Sequence, residues 1–215
     1  MFAIIIGAGT GISQGVARLF GEKGFAIGLI ARNEEKLQQE TAALTQSGIT
    51  AYYAVADTGN ASALYAALDQ LEAKGGAPDL VHYNASASVY KPLEEEDWAS
   101  IIQQLDVNAG GPFHVLKRYL PKFKEQNKGK LFFTGGGLSL YPQPGMAGLA
   151  LGKAAMRNLV LGTAAGLKHS NVHVATVTVT GFVKKDDERY NPAAIAEIFW
   201  KLYQQQAPYE TEIVY

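Results

Sequence analysis

Cysteine is absent from the 215-residue sequence, which excludes disulfides, thiolate metal sites and cysteine nucleophiles and fits a reducing compartment. An excess of charge is missing too: the formal net charge is −1, so no overall field draws the chain to nucleic acid or to an anionic membrane. No apolar run reaches the roughly 20 residues that span a bilayer. The apolar opening "MFAIIIGAGTG" has no basic leader and no cleavage pattern, and reads as a strand rather than a signal peptide. A soluble, cytoplasmic protein is expected, with no membrane and no nucleic acid among its partners. The four histidines, His82, His114, His169 and His173, have no spacing that makes a metal site with carboxylates. The nucleophile-elbow, zincin and P-loop motifs do not occur. The basic stretch "KRYLPKFKEQNKGK" (117–130) reads as a solvated helix end.

What is present is a strict alternation. Short apolar runs rich in β-branched and aromatic residues lie at 2–6, 25–31, 50–56, 79–85, 130–135 and 172–179. Continuous apolar runs of this kind suit strands buried on both faces of a parallel sheet. Between them, helical patterns run over about 12–22, 34–46, 60–74, 95–126, 146–168 and 192–205, and "ETEIVY" reads as a closing strand. Asn33 and Asn60 are placed to cap the second and third helices. Glu94–Asp97 put negative charge at the expected start of the fourth, where the helix dipole favours it. The pattern predicts an α/β fold, a doubly wound Rossmann-type domain over residues 1–215 with a mostly parallel seven-stranded sheet. No linker or repeat divides it.

In "IIIGAGTGISQGVARLF", Gly7, Gly9 and Gly11 follow the first strand and open the first helix. The backbone can turn tightly there, and the helix N-terminus at Thr10, Gly11 and Ile12 offers free amides to a pyrophosphate. Ile12 replaces the last glycine of the general G-x-G-x-x-G fingerprint, and the plain alternative is a strand-to-helix turn without a ligand.

The loop resembles the T-G-x-x-x-G-x-G pattern of the short-chain dehydrogenase/reductase family, with Gly7 and Gly11 in the first two glycine places, Ile6 for Thr and Ser13 for the third glycine. Further likenesses follow in order. Asp57 in "VADTGN" is similar to the aspartate that contacts adenine. "HYNAS" resembles N-N-A-G, with Asn84 and Ala85 kept and Tyr83 and Ser86 departing. "LDVNAGGPFHV" resembles the segment carrying the catalytic asparagine, here Asn108. Lys153 matches the lysine of Y-x-x-x-K, and "TVTVTGFV" resembles the P-G stretch, with Thr180 for Pro and Gly181 kept. The likeness covers nearly the whole chain.

The resemblance implies a dinucleotide cofactor. Ala31 supplies no carboxylate at the end of the second strand and Arg32 is placed to pair with a 2′-phosphate, so NADP is expected ahead of NAD, unless Arg32 is only a solvated strand-end residue. The resemblance also implies a catalytic set that is incomplete. Lys153 and Asn108 have counterparts. The tyrosine place holds Leu149, which carries no proton, and counting thirteen residues back to the serine place lands on Gly136. Tyr141, stiffened by Pro142 and Pro144, is the candidate displaced acid, with Ser139, Tyr83 and Ser86 also at the expected cofactor end of the sheet.

After Gly181 the next helix starts within about ten residues, so the segment that closes over substrate in the family is short and charged here. The family's assembly through its fourth and fifth helices implies a homodimer or homotetramer on 95–126 and 146–168; the small residues of "MAGLALGKAAMRNLVLGTAAGL" suit that, or plain packing on the sheet. Three functions stay open: an NADP-dependent oxidoreductase of an unidentified small molecule with an altered proton donor, a nucleotide-binding sensor or interaction module without turnover, or a structural subunit.

Overall fold

A computed structural model describes residues 1–215. Its strands are β1 (Phe2–Ile6), β2 (Ala26–Ala31), β3 (Ala51–Val55), β4 (Leu80–Tyr83), β5 (Gly129–Gly136), β6 (Val172–Val179) and β7 (Glu212–Val214). The α-helices are α1 (Ile12–Glu22), α2 (Glu34–Gln46), α3 (Ala61–Gly75), α4 (Trp98–Leu105), α5 (Gly111–Gln126), α6 (Ala147–Ala165) and α7 (Pro192–Gln204). All strands are parallel, in the order β3-β2-β1-β4-β5-β6-β7. The doubly wound α/β fold expected from the alternation is therefore present.

The continuous apolar runs are explained by burial on both sides. Ile4 and Ile6 of β1 face a cluster with Leu64 and Leu68 of α3, Val115 of α5 and Met156 of α6. Ala3 and Ile5 face the opposite cluster, with Val16 and Phe20 of α1, Leu37 of α2 and Phe199 of α7. Each fully buried aliphatic or aromatic side chain contributes about 1.5–3 kcal/mol of transfer free energy. The chain order reverses between β1 and β4, and a crevice opens at the carboxyl ends of such neighbours. Asn33 Oδ1 accepts from the Lys36 amide at 2.9 Å, and Asn60 Oδ1 from the Ala63 amide at 3.0 Å, so both expected caps form.

The expected helix over 95–126 is broken. Glu94 and Glu95 belong to a separate 3₁₀ turn, Leu93–Glu95, and Asp97 caps α4 by accepting from the Ser100 amide at 2.8 Å. A π-helical turn, Asp106–Gly110, then separates α4 from α5. Its cause lies beneath it. The buried Tyr83 hydroxyl donates to the Val107 carbonyl at 2.6 Å, and a Cβ on Gly111 would sit 2.0 Å from that hydroxyl oxygen. One extra residue in the turn barely disturbs an apolar period, so the break is invisible to periodicity.

Candidate active site

The glycine loop is set by contact with the end of β4. Gly7 has φ +86°, and a Cβ there would lie 2.3 Å from the Ala85 nitrogen, so only glycine fits. Asn84 ties the two loops together: its amide donates to the Ile6 carbonyl at 2.8 Å and its Nδ2 to the Gly7 carbonyl at 3.2 Å. Ser13, at the place of the third glycine, folds its hydroxyl onto Gly9, donating to the carbonyl and accepting from the amide, both at 3.0 Å. Beyond these contacts the loop is open. A Cβ on Gly9 or Gly11 would meet nothing within 4 Å, and no side chain caps α1 at Gly11. Ile12 and Ser13 amides thus stay free at the positive end of α1, a suitable cradle for a phosphate.

Beside this loop a cleft of about 270 Å³ is lined by Gly7, Ala31, Arg32, Asp57, Asn84 and Ala85 among others. A second of about 390 Å³ adjoins it and shares Arg32 and Asp57. Asp57 Oδ1 accepts from the Gly59 amide at 2.9 Å, which fixes its carboxylate. Arg32 is exposed and makes no ion pair or side-chain hydrogen bond. A larger cavity, about 550 Å³, lies elsewhere, between α1, α2 and the segment before α7; it meets the glycine loop only at Thr10 and Gly11.

Lys153 stands on α6, against the end of β5. It is 7% exposed, and its Nζ donates to the Thr134 carbonyl at 2.8 Å, its one hydrogen bond. Two of its three donors remain without a protein partner, which suits a polyhydroxylated ligand such as a ribose. Burial draws its pKa down to about 8. Behind it, His82 Nε2 lies 2.8 Å from the Thr134 hydroxyl. Burial, aided by the Lys153 charge, pulls the His82 pKa down to about 3, so this imidazole is neutral. Asn108 sits in the π-turn, 1% exposed, and clamps the loop after β4: its Oδ1 accepts from the Ala87 amide at 3.0 Å and its Nδ2 donates to the Ala87 carbonyl at 2.7 Å.

A family model described as short chain dehydrogenase matches residues 1–191. The chain belongs to the short-chain dehydrogenase family. Short-chain dehydrogenase/reductase 3 of Homo sapiens is 29% identical over 164 residues, 74% of this chain and 54% of that protein, so the chain spans about half the length of that relative. An oxidoreductase of Sarocladium schorii is 26% identical over 206 residues, 96% of this chain and 80% of its own. Among solved structures, a short-chain dehydrogenase from Rhodopseudomonas palustris superposes with a TM-score of 0.87 at 27% identity, over 99% of this chain and 96% of its own. The same score is reached by an alcohol dehydrogenase from the archaeon Thermococcus sibiricus complexed with 5-hydroxy-NADP, at 24% identity over 99% and 94% of the two chains.

In this member of the family, the two places counted from sequence, 136 and 149, both lie near Lys153. Gly136 ends β5 with φ −150°, and a Cβ there would lie 3.6–3.7 Å from three methylene carbons of Lys153. Leu149, half-buried, is one turn before Lys153 on α6. Ser139 donates to the Gly136 carbonyl at 2.8 Å. Tyr141 is tied by its amide to the Gly137 carbonyl at 2.8 Å, while its side chain is 64% exposed and its hydroxyl has no protein partner. Tyr83 is not a proton donor to this cleft: it is 1% exposed and spent on Val107. His114 pairs with Tyr65 on α3, at 3.1 Å.

Two of the small residues of α6, Gly148 and Gly152, pack on α4 and the π-turn. A Cβ on Gly152 would lie 2.3 Å from Asn108 Cβ, and one on Gly148 would strike the Gln104 side chain. They let α6 close on α4 and the π-turn, and so hold Asn108 and Lys153 in one site. Gln104 Oε1 in turn accepts from the Val89 amide at 3.1 Å, a second clamp on the same loop that sequence reasoning missed.

Thr180 shows why proline is absent from its place. Its amide, at 2.7 Å, and its hydroxyl, at 2.8 Å, both donate to the Tyr215 carbonyl, and proline lacks that amide. Gly181 lies under the Tyr190 ring, which a Cβ would overlap. The short segment closes on itself: Asp187 Oδ1 accepts from the Arg189 and Tyr190 amides, and the Arg189 guanidinium stands 5.2 Å from both the Tyr190 and Tyr215 ring centres.

Proposed function

We propose that this chain is an NADP(H)-dependent oxidoreductase acting on small carbonyl compounds, with a proton donor other than residue 149. The observation that carries the reading is Lys153, a buried ammonium with donors to spare, and the amides of the glycine loop are unspent as well. A metagenomic short-chain oxidoreductase solved in complex with NADP, 22% identical with a TM-score of 0.88 over 100% of this chain and 96% of that one, supports the fold this reading needs.

NADPH supplies a hydride when bound. The residues suited to hold it are Gly7, Gly9, Thr10, Gly11 and Ile12 at the phosphates, Asp57, Asn84 and Ala85 on the adenine side, Lys153 at the nicotinamide ribose and Gly181 beyond it. Arg32, free of any carboxylate, is suited to a 2′-phosphate. Asn108 orders the loop after β4 through Ala87, and Tyr141, on the loop that carries Gly136 and Ser139, gives the proton to the carbonyl oxygen. Exposed Phe113 and Leu151 on α5 and α6 support association as a homodimer or homotetramer.

The test is NADPH oxidation against a panel of activated carbonyls and quinones. Slow wild-type turnover, below the roughly 1–10³ s⁻¹ of ordinary enzymes and about 10²-fold lower in Tyr141→Phe, is expected. Turnover indifferent to that change refutes Tyr141 as donor. Tight NADPH binding without turnover establishes the non-catalytic reading, and no binding at all leaves a structural subunit.

A further inference from the structure

At the end of the sheet opposite the glycine loop, Lys130, the second residue of β5, has an unusual setting. Its Nζ has one contact, 3.4 Å from the Gln205 carbonyl, and no carboxylate lies within 4 Å. The Tyr203 and Tyr209 rings stand 5.0 and 5.2 Å from it. The amine lines a cavity of about 480 Å³ together with Asp79, Lys128, Asn171 and Gln206.

Every charged group facing this amine is already committed or neutral. Asp79 is taken by the Lys128 ammonium at 2.9 Å and the Phe2 amide at 3.0 Å. His173 is buried and stacked on Tyr209 at 4.2 Å, its Nε2 lies 2.7 Å from the Glu210 carbonyl, and its pKa is pulled down to about 4. The Glu210 carboxylate accepts from Gln205 Nε2. The tyrosine faces favour an ammonium, but desolvation outweighs them and brings the Lys130 pKa down to about 8.

We propose that Lys130 is a covalent site for small flat aldehydes, which enter the cavity and condense with its ε-amine. The nitrogen lone pair attacks the carbonyl carbon, forming a C–N bond as the C=O π bond breaks, and one N–H proton passes to the oxygen. That hydroxyl takes a second proton from solvent and leaves as water as the C=N bond forms, and the remaining N–H proton returns to solvent, leaving an imine. Nothing is oxidised or reduced and the step is reversible. It needs a free amine held where an electrophile can reach it, as desolvated nucleophilic lysines provide. Tyr203 and Tyr209 suit a planar aldehyde, and the proposal stands apart from the oxidoreductase reading.

The experiment treats the full chain with benzaldehyde from pH 6.5 to 9.5, traps imines with cyanoborohydride, and maps lysines by peptide mass spectrometry. A pKa near 8 rather than about 10.4 leaves on the order of 10²-fold more free amine at neutral pH, partly offset by the lower intrinsic nucleophilicity of a less basic amine. Lys130 is expected to label at least ~10-fold faster than exposed Lys128, with a half-maximal rate near pH 8. Tyr209→Leu, checked for native circular dichroism, is expected to bring Lys130 towards the rate of Lys128. Labelling of Lys130 no faster than Lys128 at every pH overturns the proposal, and so does a fast rate unchanged in folded Tyr209→Leu.

Discussion

Restoring the two missing groups is the most informative perturbation of the cleft. In Gly136→Ser the new Cβ lies 3.6–3.7 Å from Lys153 methylenes, ordinary van der Waals contact, and φ −150° is extended backbone open to any residue. Leu149→Tyr places a phenol one helical turn before a buried ammonium whose pKa is about 8. A positioned general acid contributes roughly 10²–10⁴-fold, about 3–5 kcal/mol of barrier, and a donor to the developing oxyanion roughly 10²–10³-fold. The two act as a unit, so their effects do not multiply. We therefore expect kcat/KM of the double variant to rise ~10²–10⁴-fold over wild type, read as NADPH oxidation on the best carbonyl of the panel. A thermal melt and an NADPH titration establish that the variant is folded and binds. A folded, NADPH-binding double variant with no gain on any carbonyl refutes the assignment of Leu149 and Gly136 to the catalytic places.

Asn108→Ala removes both bonds to the half-buried Ala87 backbone, which costs ~1 kcal/mol of stability in urea unfolding; a midpoint equal to wild type refutes the clamp. His82 is held neutral with a folded pKa of about 3 against an unfolded value of 6.5. The unfolded chain binds the extra proton between those values, so stability is full above pH 6.5 and falls towards pH 3, by about 1.4 kcal/mol per pH unit within the window. His82→Gln, which keeps a partner for Thr134, flattens that slope in urea midpoints from pH 7 to 4.5; parallel curves for the two proteins contradict the burial argument.

The fold was legible because the strand runs are mostly apolar and alternate with helical patterns, two of which open on capping asparagines, Asn33 and Asn60. Gly7, Asp57 and Asn84, singled out from short motifs of consecutive residues, line one cleft. The interruption at 106–110 was not legible, since it depends on Tyr83 lying beneath Val107 from 24 positions away. Gly148 and Gly152 were visible only as small residues, and their contacts with Gln104 and Asn108 exist only after α6 docks. Thr180 looked like a lost proline until Tyr215 came to its amide. Tertiary partners decided each of these, and spacing along the chain carries no record of them.

The central claim rests on Arg32 and on the absence of a carboxylate at the end of β2. Titration calorimetry with NADPH and NADH, on wild type and Arg32→Ala, tests it most directly. A charge-assisted pair with the 2′-phosphate is worth about 1.5–3 kcal/mol, so wild type is expected to bind NADPH ~10–100-fold more tightly than NADH, and Arg32→Ala to bind the two alike. Equal wild-type affinities, a preference for NADH, or an Arg32→Ala variant that binds NADPH unchanged would contradict the account.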